Sequence, residues 1–299
     1  MPGPEVSGER RDLGLDSIRL PAAHEAEVSD REVEGNGDAR KGVEYEDRVV
    51  AFVDILGFKN IIRRSAREPA LVPRIQSALS LPRHDWAEMF APLIDGESVS
   101  GGERTHSFSD FIVMSVPPDP PAVGLLVYMV FKKCRQLLEA GFASRGGIAR
   151  GPIFHEEGEA VFGPAFVDAY LLESTHADGP RVILQNAVRT LIETYCAATP
   201  DSTLCRFFAE HVKRAEDGPA TINLFADFRE NSFYAKRPDI ESSLRKMHQV
   251  ICSALDDSAD APQIFRKNAQ LARAFNQALH GSGYEAYLIR PDKLPAQRP

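Results

Sequence analysis

Two aspartates stand out because each lies next to an apolar run that predicts a buried strand. Asp54 interrupts the run 49–56, and Gly57 then ends that run. A carboxylate is costly to bury in such a strand unless it is paired or binds a metal. Asp110 lies between two β-rich stretches, at the tip of a hairpin predicted over 104–116. If this hairpin pairs with the first strand, the two carboxylates converge.

Converging carboxylates predict a site for hard divalent cations. Carboxylate and carbonyl oxygens are the ligands that Mg²⁺ and Mn²⁺ prefer. We therefore expect Asp54, Asp110 and the backbone carbonyl of Ile55 to hold two such ions. Two ions placed in this way clamp a triphosphate and lower the pKa of an attacking hydroxyl. Asp110 by itself is more often an ordinary turn residue, so the prediction depends on the pair.

Three basic residues are candidates for contacting phosphate groups. Arg145 and Arg150 lie in one predicted strand, and a guanidinium pairs bidentately with phosphate oxygens. Their spacing of five places them on opposite faces of a regular strand, so we expect only one of them to reach the site. Lys59, just after Gly57, is the third candidate. A surface salt bridge for each arginine, and simple solvation for the lysine, are the competing interpretations.

The order of the predicted elements indicates how these residues are positioned. After the first strand come two helical stretches, the hairpin, a long helix at 122–140 and a strand at 142–154. A helical stretch and a short strand at 181–184 follow, and the C-terminal third is mainly helical. This order predicts an α+β sandwich in which helices cover a mostly antiparallel sheet. The predicted domains are a disordered N-terminal arm at 1–43, a catalytic domain at 44–190, and a mainly helical C-terminal extension packed on it at 191–299.

Composition excludes several classes of protein. The chain has 299 residues, of which 43% are hydrophobic, so it can bury a substantial core. Its net charge of −8 argues against broad, sequence-independent binding to nucleic acid. No apolar run reaches the roughly 20 residues of a membrane span, and the N-terminus lacks the features of a signal peptide. The four cysteines have no CxxC spacing, which favours reduced thiols and a cytoplasmic location.

Four segments resemble the motifs of class III nucleotidyl cyclases. Residues 52–58, Phe-Val-Asp-Ile-Leu-Gly-Phe, are similar to the first metal motif of that family, and 107–112 to the second. Residues 145–151 resemble the family's Arg-x-Gly-Ile-x-x-Gly strand, and 163–173 its next motif. The four motifs occur in the family's order across about residues 48–185. The resemblance implies a class III nucleotidyl cyclase-like fold and a head-to-tail homodimer with sites at its interface.

Several positions depart from the family pattern. The places of the Asn and Arg that bind ribose and phosphate hold Val167 and Leu171, and those of the purine-selecting Lys and Asp hold His106 and Ala160. Together with the stretch 169–173, these changes most resemble the bacterial pyrimidine cyclases of the Pycsar antiphage system. That resemblance implies that UTP or CTP becomes a 3′,5′-cyclic nucleotide, a second messenger that a separate effector protein senses in antiviral defence.

Two residues are candidates for binding the base. His106 can donate one hydrogen bond, whereas Ala160 offers no acceptor to the amino group of adenine. Phe52, on the same strand face as Asp54, is a candidate wall for a pocket that fits a smaller base, and it is as readily a core residue. Two alternatives stay open: a class III cyclase that selects purines through other residues, and a catalytically silent homologue that only binds nucleotides.

Overall fold

A computed structural model of the chain describes residues 44–80, 86–94, 99, 102–215, 217–228 and 239–294. The predicted N-terminal arm at 1–43 lies outside these described residues. The described chain is α+β, with helices packed on a mixed, mostly antiparallel sheet, so the predicted class is confirmed at that level. No helix in the described residues is both long and apolar enough to cross a membrane.

The sheet has eight strands, and β1 lies near its centre. The order is β2-β3-β1-β4-β6-β8-β7, with β5 paired to β4 outside this path. Only the β4–β6 pair is parallel among the described strand pairs. The strands are β1 Glu46–Ile55, β2 Arg104–Phe108, β3 Phe111–Val116, β4 Ser144–His155, β5 Val161–Phe162, β6 Val182–Leu184, β7 Val212–Arg214 and β8 Ala220–Ile222.

The helices follow the strands in a β-α-β-β-α-β order before the C-terminal segment. They are α1 Phe58–Ser65, α2 Leu71–Leu79, α3 Trp86–Phe90, α4 Pro120–Glu139, α5 Pro164–Leu171, α6 Asn186–Ala198, α7 Thr203–His211, α8 Ile240–Asp257 and α9 Pro262–Leu279. A π-helical turn, Leu172–His176, continues α5. Short 3-10 turns lie at Ala91–Ile94, Ala226–Phe228, Glu285–Tyr287 and Pro291–Lys293.

Local sequence explains where the elements around β1 begin and end. Gly57 has a φ of 72°, a left-handed conformation that glycine adopts without steric cost, and it turns the chain from β1 into α1. At the start of α4, the Asp119 side chain accepts a hydrogen bond from the N–H of Ala122. Prolines occupy the first turn of α4, where their missing N–H groups have no helical partner to lose.

The two faces of the sheet carry cores of very different size. On one, which we call the large-core face, Val49, Ala51 and Val53 of β1 belong to a core that also includes α4, α7, α8 and α9. α4 is buried over most of its length there. On the other, which we call the α5 face, Val50 and Phe52 belong to a small core formed with α5. The period of two in a strand sends alternate β1 residues to these two cores.

The C-terminal segment contributes strands as well as helices. β7 and β8 extend the sheet beyond β6, which the sequence did not predict for a mainly helical extension. A run of three residues is too short to display the alternation that identifies a strand. Arg135 of α4 also ties this segment to the sheet, since it donates hydrogen bonds to the carbonyl of Leu224 and to the Ser243 hydroxyl. Its guanidinium lies 4.7 Å from the centre of the Phe228 ring.

One pair of cysteines departs from the expectation of four reduced thiols. Cys196, near the end of α6, forms a disulfide with Cys205 in α7, with their Cα atoms 5.3 Å apart. The short connection between these helices brings the two side chains together, although their spacing of nine in the sequence matches no known motif. Cys134 and Cys252 are free.

Candidate functional site

Asp54 lies near the end of β1, and Asp110 lies in the adjoining turn between β2 and β3. β1 pairs with β3 in a register that sets Asp54 opposite Phe111, the residue after Asp110. The N–H of Ile55 donates a hydrogen bond of 3.0 Å to the carbonyl of Asp110. Ser109 has a φ of 54°, which closes the tight turn at the tip of the β2–β3 hairpin. The hairpin therefore brings Asp110 beside the end of β1, as the sequence predicted.

Electrostatics tie these carboxylates into one cluster. Burial, together with the negative charges of Glu173 and Asp110, raises the pKa of Asp54 to about 6. The positive charge of Arg145 acts in the opposite direction on the same group. Arg145 is the direct cross-strand partner of Asp54 in the β1–β4 pairing, so both side chains point to the α5 face. Asp54 thus shares its surroundings with two acids and one base.

Glu173 is a member of this cluster that the sequence analysis did not select. It lies in the π-helical turn after α5 and is 2% exposed. Its carboxylate forms an ion pair with Nε of Arg145. Burial raises the pKa of Glu173, and the neighbouring Arg145 charge opposes that rise. The sequence did carry a signal, because Glu173 ends the segment 163–173 that resembles a family motif, but an acid after an apolar stretch is usually solvated.

One glycine lets the end of α5 come this close to β4. A Cβ on Gly147 would lie 2.6 Å from Cβ of Leu172 and would also collide with the carbonyl oxygen of Ala169. Because Gly147 lacks a side chain, strand and helix approach closely, and Glu173 reaches Arg145. The neighbouring Gly146 serves a different contact, since a Cβ there would collide with the carbonyl oxygen of Phe52 in β1.

Phe52 is a core residue rather than an exposed wall. Its ring is 5% exposed and packs against Phe111, Phe166 and Tyr170, with centroids 5.2 to 5.8 Å away. The structure therefore favours the interpretation of this ring as a core residue over that of a wall of a base pocket. The exposed rings beside the site are instead Tyr170, 47% exposed, and Phe108, 63% exposed.

His106 and Lys59 lie on two different elements around β1. His106 of β2 is opposite Val113 of β3, which is opposite Phe52 of β1, so its half-buried side chain shares the α5 face with Asp54. Lys59 is exposed in the first turn of α1, five residues after Asp54. Their roles toward a substrate stay predictions.

Arg150 lies apart from the cluster. It pairs with Val49, a residue of the large-core face, and its Nη2 lies 2.8 Å from Oδ2 of the exposed Asp47. It lines an open depression of about 440 Å³ together with Thr190 and Tyr195 of α6. The predicted separation of the two arginines onto opposite faces is confirmed, and Arg145 is the one beside Asp54.

The donor set suits a divalent cation completed by a ligand. Among the described residues, no group of three or more His, Cys, Asp or Glu side chains could hold a metal ion. Mg²⁺, however, is usually held by one or two carboxylates together with substrate phosphates rather than by a full protein cage. Asp54 and Asp110 provide such a pair, half-buried and mutually repelling. A cation placed between them would relieve that repulsion, so the residues present fit the predicted ions.

No protein-family model matches this chain, and no curated protein matches it either. The resemblance to class III nucleotidyl cyclases therefore rests on the four motifs, and the case for function rests on the chemistry of the cluster.

Proposed function

We propose that the chain is a nucleotidyl cyclase of the class III type, a phosphorus–oxygen lyase. The observation that carries this proposal is the pair of half-buried acids, Asp54 near the end of β1 and Asp110 in the adjoining hairpin turn, with Arg145 opposite Asp54. A structural ion pair can also shift a pKa without any catalytic role. Here, however, Asp54 lies beside two other acids, so charges of the same sign lie close together. Gathered carboxylates raise the free energy of the unliganded fold, and binding a cation is the ordinary reason for keeping them.

The order of strands supports the cyclase-like sandwich. A β-α-β-β-α-β unit with β1 between β3 and β4 is a split β-α-β arrangement. It brings the end of β1, the β2–β3 hairpin tip and the start of β4 to one edge. These are three of the four segments in which the sequence resembles the family.

The proposed reaction converts a nucleoside triphosphate to a 3′,5′-cyclic nucleotide and pyrophosphate. The ribose 3′-oxygen forms a bond to the α-phosphorus, its proton leaves, and the bond from that phosphorus to the bridging oxygen of pyrophosphate breaks. When bound, two Mg²⁺ or Mn²⁺ ions would lower the pKa of the hydroxyl and neutralise the phosphates. Asp54, Asp110 and the Ile55 carbonyl would hold them, and Arg145 would pair with phosphate oxygens. Positioning and charge neutralisation supply most of the acceleration.

We propose a pyrimidine triphosphate, UTP or CTP, as the substrate. Ala160 and His106 stand where the family's purine selectors lie, so adenine's amino group would lose its acceptor. An unpaired buried polar group costs about 1–3 kcal/mol, or roughly a factor of 5 to 150 in selectivity. Phe52 acts indirectly in this scheme, by supporting the rings of Phe111 and Tyr170.

A homodimer with composite sites accounts for the exposed apolar surface beside the cluster. Val167 and Leu171 of α5 are 51% and 44% exposed, and Tyr170 lies between them. These positions cannot bind ribose or phosphate, so the partner protomer would have to supply those contacts. The cyclic product would act as a second messenger on a separate effector protein in antiviral defence.

The test is incubation with Mn²⁺ and each of the four nucleoside triphosphates, followed by mass spectrometry of the products. We expect the wild type to form cyclic UMP or cyclic CMP. The rate of product formation should fall by on the order of a thousandfold in Asp54→Asn and in Asp110→Asn. Asp201→Asn is the matched control, since Asp201 is exposed between α6 and α7.

The rival functions give different outcomes in the same assay. Cyclic AMP or cyclic GMP as the main product would replace the pyrimidine proposal by a purine-specific cyclase. Nucleotide binding without any cyclic product would favour a silent homologue, which the loss of the usual Asn and Arg at Val167 and Leu171 supports. Full activity in either aspartate variant would remove the metal assignment altogether.

A further inference from the structure

The ion pair between Arg145 and Glu173 has an unusual position for a structural contact. Glu173 is almost fully buried, whereas the Arg145 side chain is 25% exposed. The contact uses Nε of the guanidinium. Within the described residues, the two Nη groups of Arg145 make no hydrogen bond or ion pair. One edge of this guanidinium is thus held by the protein, and the other edge is available beside Asp54.

The burial of Glu173 makes this arrangement persistent. A buried carboxylate that loses its only cationic partner is left as an uncompensated charge, which is strongly unfavourable. Arg145 therefore stays bound to Glu173 rather than swinging into solvent or pairing with Asp54. The close approach at Gly147 fixes the backbone of Glu173 relative to β4, so the geometry is set by packing and not by the ion pair alone.

The held arginine lies where an anion would meet the carboxylate pair. Asp54, Asp110 and Glu173 together with Arg145 have a net charge of −2 when all four are ionised. A single divalent cation balances that charge. A polyphosphate bound through the cation then needs a cationic side chain of its own, and the free edge of Arg145 matches phosphate oxygens.

We propose that Glu173 is a positioning residue that fixes Arg145 beside Asp54, so that the free edge of the guanidinium binds the polyphosphate of the substrate. This role rests on the proposed function only in naming a nucleotide as the carrier of that polyphosphate. Glu173 itself touches neither the substrate nor the cation, and it acts through Arg145.

The test uses the full chain, with inorganic tripolyphosphate and Mn²⁺ as probes. Calorimetry gives the Kd for tripolyphosphate in saturating Mn²⁺, and electron paramagnetic resonance of free Mn²⁺ gives the Kd for the metal. In Glu173→Gln we expect about a tenfold weaker Kd for tripolyphosphate, as is typical when an outer partner of a site is removed. We expect the Mn²⁺ affinity to change by less than about threefold, because its two carboxylates remain.

Two further variants keep the outcome decisive. Glu173→Asp retains the charge but draws the carboxylate back by one methylene. Its Kd for tripolyphosphate should lie between those of the wild type and Glu173→Gln. If Glu173→Gln does not fold, the Kd of Glu173→Asp tests the proposal. Glu193→Gln is the control, because Glu193 of α6 also pairs with an arginine but is exposed and distant in the fold. Both of its affinities should equal those of the wild type.

Three results would overturn the proposal. The first is unchanged tripolyphosphate binding in a Glu173 variant whose melting temperature has dropped, which would make the residue purely structural. The second is an equal loss of Mn²⁺ and tripolyphosphate binding, which would mean that Glu173 acts on the carboxylates. The third is no tripolyphosphate binding by the wild type. If the expected pattern appears but no triphosphate is cyclised, the role of Glu173 stands and the cyclase proposal fails.

Discussion

The large-core face and the α5 face of the same sheet differ in what they bury. Beneath α4, the alternate residues of β1 meet a continuous apolar core that extends to α7, α8 and α9. Beneath α5, the core contains seven buried apolar residues with a few partly buried ones around them, and charged side chains begin one row away at Asp54 and Arg145. One face can therefore stabilise the fold while the other keeps acids close together at a cost. The same strand, β1, serves both.

The largest effect on stability should come from the large-core face. Leu126 of α4 is fully buried, so Leu126→Ala should lower the free energy of unfolding by about 3 kcal/mol through lost burial and the cavity left behind. Urea unfolding measures this change, with exposed Val167→Ala as the control. Binding of Mn²⁺ by the folded variant should be unaffected. Loss of metal binding in Leu126→Ala would mean that the two faces are not independent.

A glycine substitution should affect both stability and chemistry on the α5 face. Gly147→Ala would push the end of α5 away from β4, at a cost of about 1–3 kcal/mol. Displacing Glu173 should also weaken tripolyphosphate binding, which calorimetry measures. Gly158→Ala is the comparison, since a Cβ there meets no atom within 4 Å and only the left-handed backbone is strained. A destabilised Gly147→Ala that binds tripolyphosphate normally would contradict this account.

The cost of the gathered acids should appear as a pH dependence. The pKa of Asp54 in the fold is about 6, above its ordinary value of 3.8, so the folded protein binds more protons than the unfolded chain between these values. Wild-type stability therefore falls as pH rises through this window. Without metal, Asp54→Asn should match the wild type near pH 4. At pH 7 it should be more stable by about 1 kcal/mol, after allowance for solvent screening of a half-exposed group.

Thermal unfolding at both pH values in the presence of a chelator checks this prediction. Added Mn²⁺ should reverse the order at pH 7, because only the wild type gains binding energy. A wild type that is already the more stable protein at pH 7 without metal would show that Asp54 is satisfied by the protein itself.

The smallest effect should come from Arg150. Its ion pair with Asp47 is exposed, so Arg150→Gln should change stability by less than about 0.5 kcal/mol. Tripolyphosphate binding to the same protomer should not change. If cyclase activity falls nevertheless, mixing this variant with Asp54→Asn should restore part of it, because Arg150 would then act on the site of the partner protomer. Loss of activity without such restoration would remove Arg150 from the composite site.

The parts of the fold that the sequence predicts are those with long, regular patterns. β1, the β2–β3 hairpin and α4 each display an apolar period that their burial explains. β7 and β8 have three residues each, and β8 joins the sheet through β6, which lies far earlier in the chain. The Cys196–Cys205 bond likewise depends on how two helices meet.

The residues of the candidate site also fall into those that the sequence predicts and those that it does not. Asp54 and Asp110 are visible in the sequence because a carboxylate contradicts the apolar pattern around it. Glu173 does not contradict its surroundings, since an acid at the end of a helical stretch is ordinarily exposed. Its burial results from the π-helical turn and the close packing at Gly147, which are properties of the assembled layers. Phe52 is a different case. The sequence placed it on the same strand face as Asp54 but could not show that the rings of Phe111 and Tyr170 cover it.

The partners of Arg135 have a consequence for how the protein is made. This arginine, 4% exposed in α4, needs the carbonyl of Leu224 and the hydroxyl of Ser243, which leave the ribosome about 90 and 108 residues later. A nascent chain that has just released β4 and α5 would lack these two buried hydrogen-bond partners of Arg135 on the inner side of α4. The cluster on the α5 face would then lack a finished scaffold behind it. Synthesis itself would therefore delay the appearance of a competent site until the C-terminal strands and helices had been released.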